Sequence, residues 1–162
     1  MDGVAMNEEL QEAAAYGQVA VLRRLLGSNP ELVRETDEYQ FTALHHAVGD
    51  DSTEAVALLL KTGADPNAQN DSGHAALHLV AYPGHVDLLV AHGADINLQS
   101  NGGSTPLVTH AAEQDRVQVM QRLLELGADA SIASNSGTAL SIAQRRQERD
   151  KVSLLTQYLS ES

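Results

Sequence analysis

The chain has 162 residues, a formal net charge of −12 at neutral pH and no cysteine. The missing thiols exclude disulfides and thiolate chemistry and fit a reducing cytoplasm, while the acidic field repels nucleic acid and anionic membrane. The length suits one domain with a real core; no run nears the ~18 apolar residues of a membrane span, and Met1-Asp2-Gly3-Val4 lacks a basic-then-apolar export signal.

In chain order, the apolar spacing predicts a series of helix pairs. Residues 7–34 form the first pair, with Leu10, Ala13 and Ala14 on one helix and Val19, Val21, Leu22, Leu25 and Leu26 on the next. Glu8, Glu9 and Glu12 suit the positive end of the opening helix. Residues 35–68 form the most regular pair: Leu44, Ala47 and Val48 line its inner helix, and Ala55, Val56, Leu58, Leu59 and Leu60 fill its outer helix. Gly63 then ends the pair in a left-handed conformation.

Residues 69–98 are three short of that pattern. Their outer helix keeps only Val86, Leu88, Leu89 and Val90, so a stubby outer helix is predicted, with Tyr82-Pro83-Gly84 as the turn before it. In residues 99–132 the outer helix carries Val117, Val119, Met120, Leu123 and Leu124. One extra residue sits around Val108-Thr109-His110, as a π-bulge or a lengthened turn. Residues 133–162 read as a C-terminal cap, with Val152, Leu154, Leu155 and Leu159 inward. Arg145, Arg146, Arg149 and Lys151, interleaved with Glu148 and Asp150, form its wet face or dock an acidic partner.

Two phrases alternate through these pairs. One is Thr42-Ala43-Leu44-His45, Ala75-Ala76-Leu77-His78, Thr105-Pro106-Leu107-Val108 and Thr138-Ala139-Leu140-Ser141. The other is Gly63-Ala64-Asp65-Pro66-Asn67, Gly93-Ala94-Asp95-Ile96-Asn97 and Gly127-Ala128-Asp129-Ala130-Ser131. The anchoring leucines stand 33, 30 and 33 residues apart. A period near ~33 with this T-P-L-H pattern resembles the ankyrin-repeat family over almost the whole chain.

The resemblance implies an all-α solenoid in five units: 7–34, 35–68, 69–98, 99–132 and 133–162. It implies that Thr and Pro open each inner helix, that Leu packs on the next unit and that the histidine ties helix to adjacent backbone. His45 and His78 match that histidine, and Val108 and Ser141 do not. Ala75 has lost the opening hydroxyl, which marks unit three as the weakest. Ser131 replaces the loop asparagine in its last copy, a sign of a looser loop.

Proteins of this kind bind through a concave face of loops and inner helices. Carrying over the variable columns gives Glu38, Tyr39 and Phe41 in unit two, Asp71, Ser72, His74 and Tyr82 in unit three, and Asn101, Ser104, Glu113 and Gln114 in unit four. Tyr16 and Asp50 hold the pre-turn column in units one and two. The chain has one Phe and four Tyr, and four of these five fall on this face; the alternative for Phe41 or Tyr82 is packing between units. Glu38, Asp50, Asp71 and Glu113 ring them with negative charge, which suits a basic protein partner and salt-sensitive association.

Rival chemistries find less to stand on. His74 and His78 are four apart with His85 downstream, a spacing that allows a shared metal, but His78 already has a structural role in the repeat. Gly102-Gly103-Ser104-Thr105 resembles a phosphate loop but lacks its lysine, and it falls at a turn. Asp50-Asp51 and Glu8-Glu9 lie at helix ends, where solvated charge is ordinary. The leading expectation is a cytoplasmic, non-catalytic binder of a protein partner, basic where charge selects it, with no metal, cofactor or small-molecule substrate. The rivals are an immunity-type inhibitor of a toxin or enzyme, a histidine-based metal protein or enzyme, and an adaptor joining two partners.

Overall fold

The computed structural model describes residues 2–161, with side chains described from Asn7 to Glu161. Ten helices run in pairs among these residues: α1 (Asp2–Ala15) and α2 (Val19–Ser28), α3 (Ala43–Ala47) and α4 (Thr53–Thr62), α5 (Ala76–Leu79) and α6 (Pro83–Ala91), α7 (Pro106–Ala112) and α8 (Val117–Glu125), α9 (Ala139–Arg145) and α10 (Arg149–Glu161). A 3-10 turn at Pro30–Arg34, unforeseen in the sequence, buries Leu32 and Val33 under the first pair.

The packing is serial. The odd-numbered helices touch in the row α1–α3–α5–α7–α9, and the even-numbered ones in the row α2–α4–α6–α8–α10. Each helix is too short to be stable alone, so the core lies between neighbouring units. Leu22, Leu44, Leu59, Leu77, Leu89, Leu107, Met120 and Leu123 are all fully buried there. This is an all-α solenoid. No described helix is long and apolar enough to cross a membrane.

Hairpins join one pair to the next. Asp37 N donates to Phe41 O (2.9 Å), Asn70 N to His74 O (3.0 Å) and Ser100 N to Ser104 O (3.0 Å), while β1 (Ala133–Ser134) pairs with β2 (Gly137–Thr138) in unit five. Successive hairpins are themselves bonded, Asp71 N to Tyr39 O, Asn101 N to Ser72 O and Asn135 N to Gly102 O, each at 3.1 Å. Gly73 makes this approach possible: its φ is +75°, and a Cβ there would lie 2.5 Å from Asn101 N. Nearer the outer helices, Asn67 accepts from Asp95 N (2.7 Å) and Asn97 from Asp129 N (2.9 Å). Ser131 ends that ladder by turning back on Asp129 (2.6 Å), because no further loop of this kind follows it among the described residues.

Several sequence expectations need correction. α1 starts at Asp2, so Glu8, Glu9 and Glu12 are not on its first turn; Glu9 instead pairs with Arg24 across the pair at 2.5 Å. The outer helix of unit three is not stubby: α6 has nine residues, as α8 does; against unit two, α5 is one residue shorter than α3, and the turn after it, residues 80–82, is two shorter than residues 48–52. Tyr82-Pro83-Gly84 is not a turn, since Tyr82 caps α6 and Pro83 opens it, where a missing N–H and a fixed φ are both tolerated. The extra residue of unit four is neither a π-bulge nor a longer turn: α7 has seven residues against five in α3, while the turn after it, residues 113–116, is one shorter than residues 48–52, with Asp115 at φ 55°. In the last unit Leu159 is 43% exposed rather than inward. Lys151 is not on the wet face: it is 1% exposed, and its ammonium donates to Glu113 O with Glu148 at 3.7 Å.

Candidate functional site

Two rows of side chains border the inner helices. The first follows the hairpins. Asp37 accepts from the amides of both Tyr39 and Phe41 at 2.9 Å, which holds that tip rigid and presents the Tyr39 ring with 60% of its surface exposed. Phe41 is half-buried, its ring 5.5 Å from those of both His45 and His46. Asn70 repeats the role of Asp37, accepting from Ser72 N and His74 N at 3.0 Å. Glu38, Asp71, Ser72 and Asn101 stand exposed along the tips, and Ser104 is half-buried at the last of them.

The second row follows the turns between paired helices. Tyr16 is 68% exposed and Tyr82 is 42% exposed. Asp50 lies half-buried between them, accepting from Ser52 N at 2.9 Å. Gln114 is exposed beside Glu113 in the fourth turn. The structure thus sorts the expected residues into two lines, and the Glu113 charge acting on the His74 ring links them.

Histidines stitch the floor between these lines. His45 accepts from Thr42 N (3.0 Å) and donates from Nε2 to His74 O (3.0 Å). His78 accepts from Ala75 N (3.1 Å) and donates to Ser104 O (2.9 Å). Burial lowers the pKa of both rings, that of His78 to about 4, so they serve as neutral bridges. With both nitrogens occupied, His78 has no lone pair for a metal. It stacks on His74 at 5.1 Å, whereas His85 lies apart against Tyr82.

Sequence reading missed His110, which is fully buried, because Val108 holds the expected histidine position. Its Nε2 donates back to Leu77 O at 2.9 Å, and Nδ1 stands 3.6 Å from the Glu113 carboxylate. His110, and then Arg116 at 2.9 Å, hold the Glu113 carboxyl down at about 2. Glu113 is therefore a fixed anion rather than a free rim charge. Asp37 was missed as well; its signal was an acid four residues before Phe41, in register with Asn70 four before His74.

Comparison with known proteins now decides the family. The description "Ankyrin repeats (3 copies)" matches residues 10–100 and 77–161. The chain belongs to the ankyrin-repeat family. It is 33% identical over 124 residues to the human transient receptor potential cation channel subfamily A member 1, covering 74% of this chain and 11% of that protein. It is 43% identical over 94 residues to the mouse ankyrin repeat and SOCS box protein 6, covering 54% of this chain and 22% of that protein. The ankyrin repeat protein nuc-2 of Neurospora crassa is 29% identical over 160 residues, covering 76% of this chain and 15% of its own. The chain thus spans less than a quarter of each of these relatives. Ankyrin repeats are generally non-catalytic protein–protein interaction modules, and both rows described above belong to the repeat framework.

Proposed function

We propose that this ankyrin-repeat chain is a non-catalytic module that holds a basic protein partner on the concave face between the hairpin row and the turn row. One observation carries the reading. Of the four large apolar side chains left strongly exposed among the described residues, three are Tyr16, Tyr39 and Tyr82, all in the two rows, while most other large apolar residues described are buried or half-buried. Tyrosines on a rigid frame are the residues an interface uses as anchors, since little side-chain entropy is lost when they are covered. Glu38, Asp71 and the clamped Glu113 supply a negative border, which steers a cationic surface and weakens with salt.

The test is affinity capture from the native host, repeated with Tyr39→Ala plus Phe41→Ala. The expected outcome is at least a tenfold loss of capture. Undiminished capture moves the contact away from the hairpin row, and capture indifferent to salt removes the charged border from the reading.

A further inference from the structure

The hairpin row is a ladder, and its two ends differ. In units two, three and four the hairpin opens at Asp37, Asn70 and Ser100, whose amides each donate to the carbonyl four residues on. The next residues are Glu38, Asp71 and Asn101. The amides of Asp71 and Asn101 donate to the hairpin before their own, at Tyr39 O and Ser72 O (both 3.1 Å). Glu38 N holds the same register and donates to no group among the described residues. No hairpin of unit one stands before it, because α1 begins at Asp2 and runs as helix through the stretch where the later units carry theirs.

The neighbouring columns on this side are closed. Gln11 takes the place of His45 and His78, its Nε2 reaching Phe41 O (3.5 Å) as those rings reach His74 O and Ser104 O. Asn7 Nδ2 donates to Thr36 O (3.1 Å), as Gln69 Nε2 does to Gln99 O (3.0 Å). The far end of the ladder is closed as well, since the Arg145 guanidinium donates to Ser136 O. A cleft of about 890 Å³ lies in front of the open amide, between Asn7, Glu8 and Gln11 of α1 and residues 34–38. Glu8, Glu35 and Glu38 line it, exposed and without a salt bridge among the described residues, while Arg34 is held by Glu31 at 2.8 Å.

An open backbone donor at the edge of a paired structure is a template for another chain. We propose that an extended, cationic segment of the protein partner lies in this cleft and adds a rung to the ladder, one of its carbonyls accepting from Glu38 N and its lysines or arginines meeting Glu8, Glu35 and Glu38. Side chains of an extended segment alternate in direction, so cations at every second position share one side. Backbone pairing supplies affinity, and the acids select a basic sequence. The proposal rests on the reading of this chain as a binder of a basic protein, and it names the kind of segment that docks and the backbone group that meets it.

The test needs no identified partner. The probe is the blocked peptide acetyl-Lys-Thr-Lys-Val-Lys-Thr-amide, titrated into the 15N-labelled chain, with spermidine as a polycation that has no carbonyl. The expected result is saturable shifts centred on residues 7–11 and 34–39, with the Glu38 amide proton moving downfield and its exchange slowed about tenfold at saturation. Spermidine should produce neither effect at Glu38. Gln40 N donates to Asp37 O (3.1 Å), so Glu38 is the second residue of a four-residue turn, where proline is favoured. Glu38→Pro therefore removes the N–H and keeps the turn; it should bind the peptide about tenfold more weakly at an unchanged urea midpoint. Glu38→Gln keeps the amide and should weaken binding about threefold. A Glu38 amide unmoved at saturation, the same response to spermidine, or equal losses in the two Glu38 variants would overturn the proposal. Tyr39→Ala with Phe41→Ala should leave peptide binding intact. Partner capture that survives that variant strikes the concave face alone, and peptide binding absent from a chain that still captures its partner strikes this edge alone.

Discussion

Units two and three are built from the same phrase, yet they hold their inner helices differently. In unit two the Thr42 hydroxyl accepts from His45 N (3.4 Å) while the His45 ring accepts from Thr42 N, so two groups close the start of α3. In unit three Ala75 offers no side-chain acceptor, and His78 alone closes α5, a helix of four residues. The imidazole does not replace the hydroxyl: His78 N turns to Ala75 O (2.9 Å), and the ring's tie to Ser104 O repeats the tie of His45 to His74 O. The comparison teaches that both units carry the same tie to their neighbour, so unit three, which lacks the hydroxyl cap, depends on that tie more than unit two does.

The largest test of that comparison is removal of the rings. His78→Ala leaves the Ala75 amide and the Ser104 carbonyl without partners in a buried site and should cost about 3 kcal/mol; His45→Ala should cost about 2 kcal/mol, because Thr42 still caps. Urea midpoints of the two variants measure this, and equal losses would break the comparison. Acid should sharpen it next. His78 titrates at about 4 in the fold, against 6.5 for a free ring, so the unfolded chain takes up the proton first. The stability this ring contributes is complete above about pH 6.5 and falls as pH drops toward 4, by up to about 1.4 kcal/mol per pH unit. Urea unfolding at pH 7, 6 and 5 should show that slope, and His78→Gln should flatten it.

A smaller effect follows from the hydroxyl itself. Ala75→Thr should stabilise by about 1 kcal/mol, and Thr42→Ala should destabilise by about the same amount. Thermal or urea unfolding decides whether the two changes are opposite in sign. The smallest effect lies in local opening: amides of α5 should exchange about tenfold faster than those of α3 at the same pH. Uniform protection across both helices would show that the neighbour's contact fully compensates for the missing cap.

How much of this was legible in the sequence depends on the range of the interaction. Thr42, Gly63 and the anchoring leucines act within their own unit, so their spacing was enough to locate units and core. The shortening of unit three was visible, but apolar periodicity could not say that the turn bore most of it; Pro83 at the start of α6 was the overlooked sign. Lys151 looked like a surface cation because its acceptor, Glu113 O, lies 38 residues upstream. His110 was hidden because it replaces the usual histidine two positions along and points backward. Of the candidate site, the columns could be read from the sequence, whereas the pairing of Glu113 with His110 and Arg116 could not.

The asparagine ladder has a direction. Asn67, Asn97, His45 and His78 all reach from an earlier unit to backbone that comes later in the chain. During synthesis, the later loops and hairpins meet earlier side chains placed for their amides and carbonyls, while His110, Asn101 and Lys151 reach back to Leu77 O, Asp71 O and Glu113 O. Assembly of this protein can therefore proceed in the order of translation, one unit at a time.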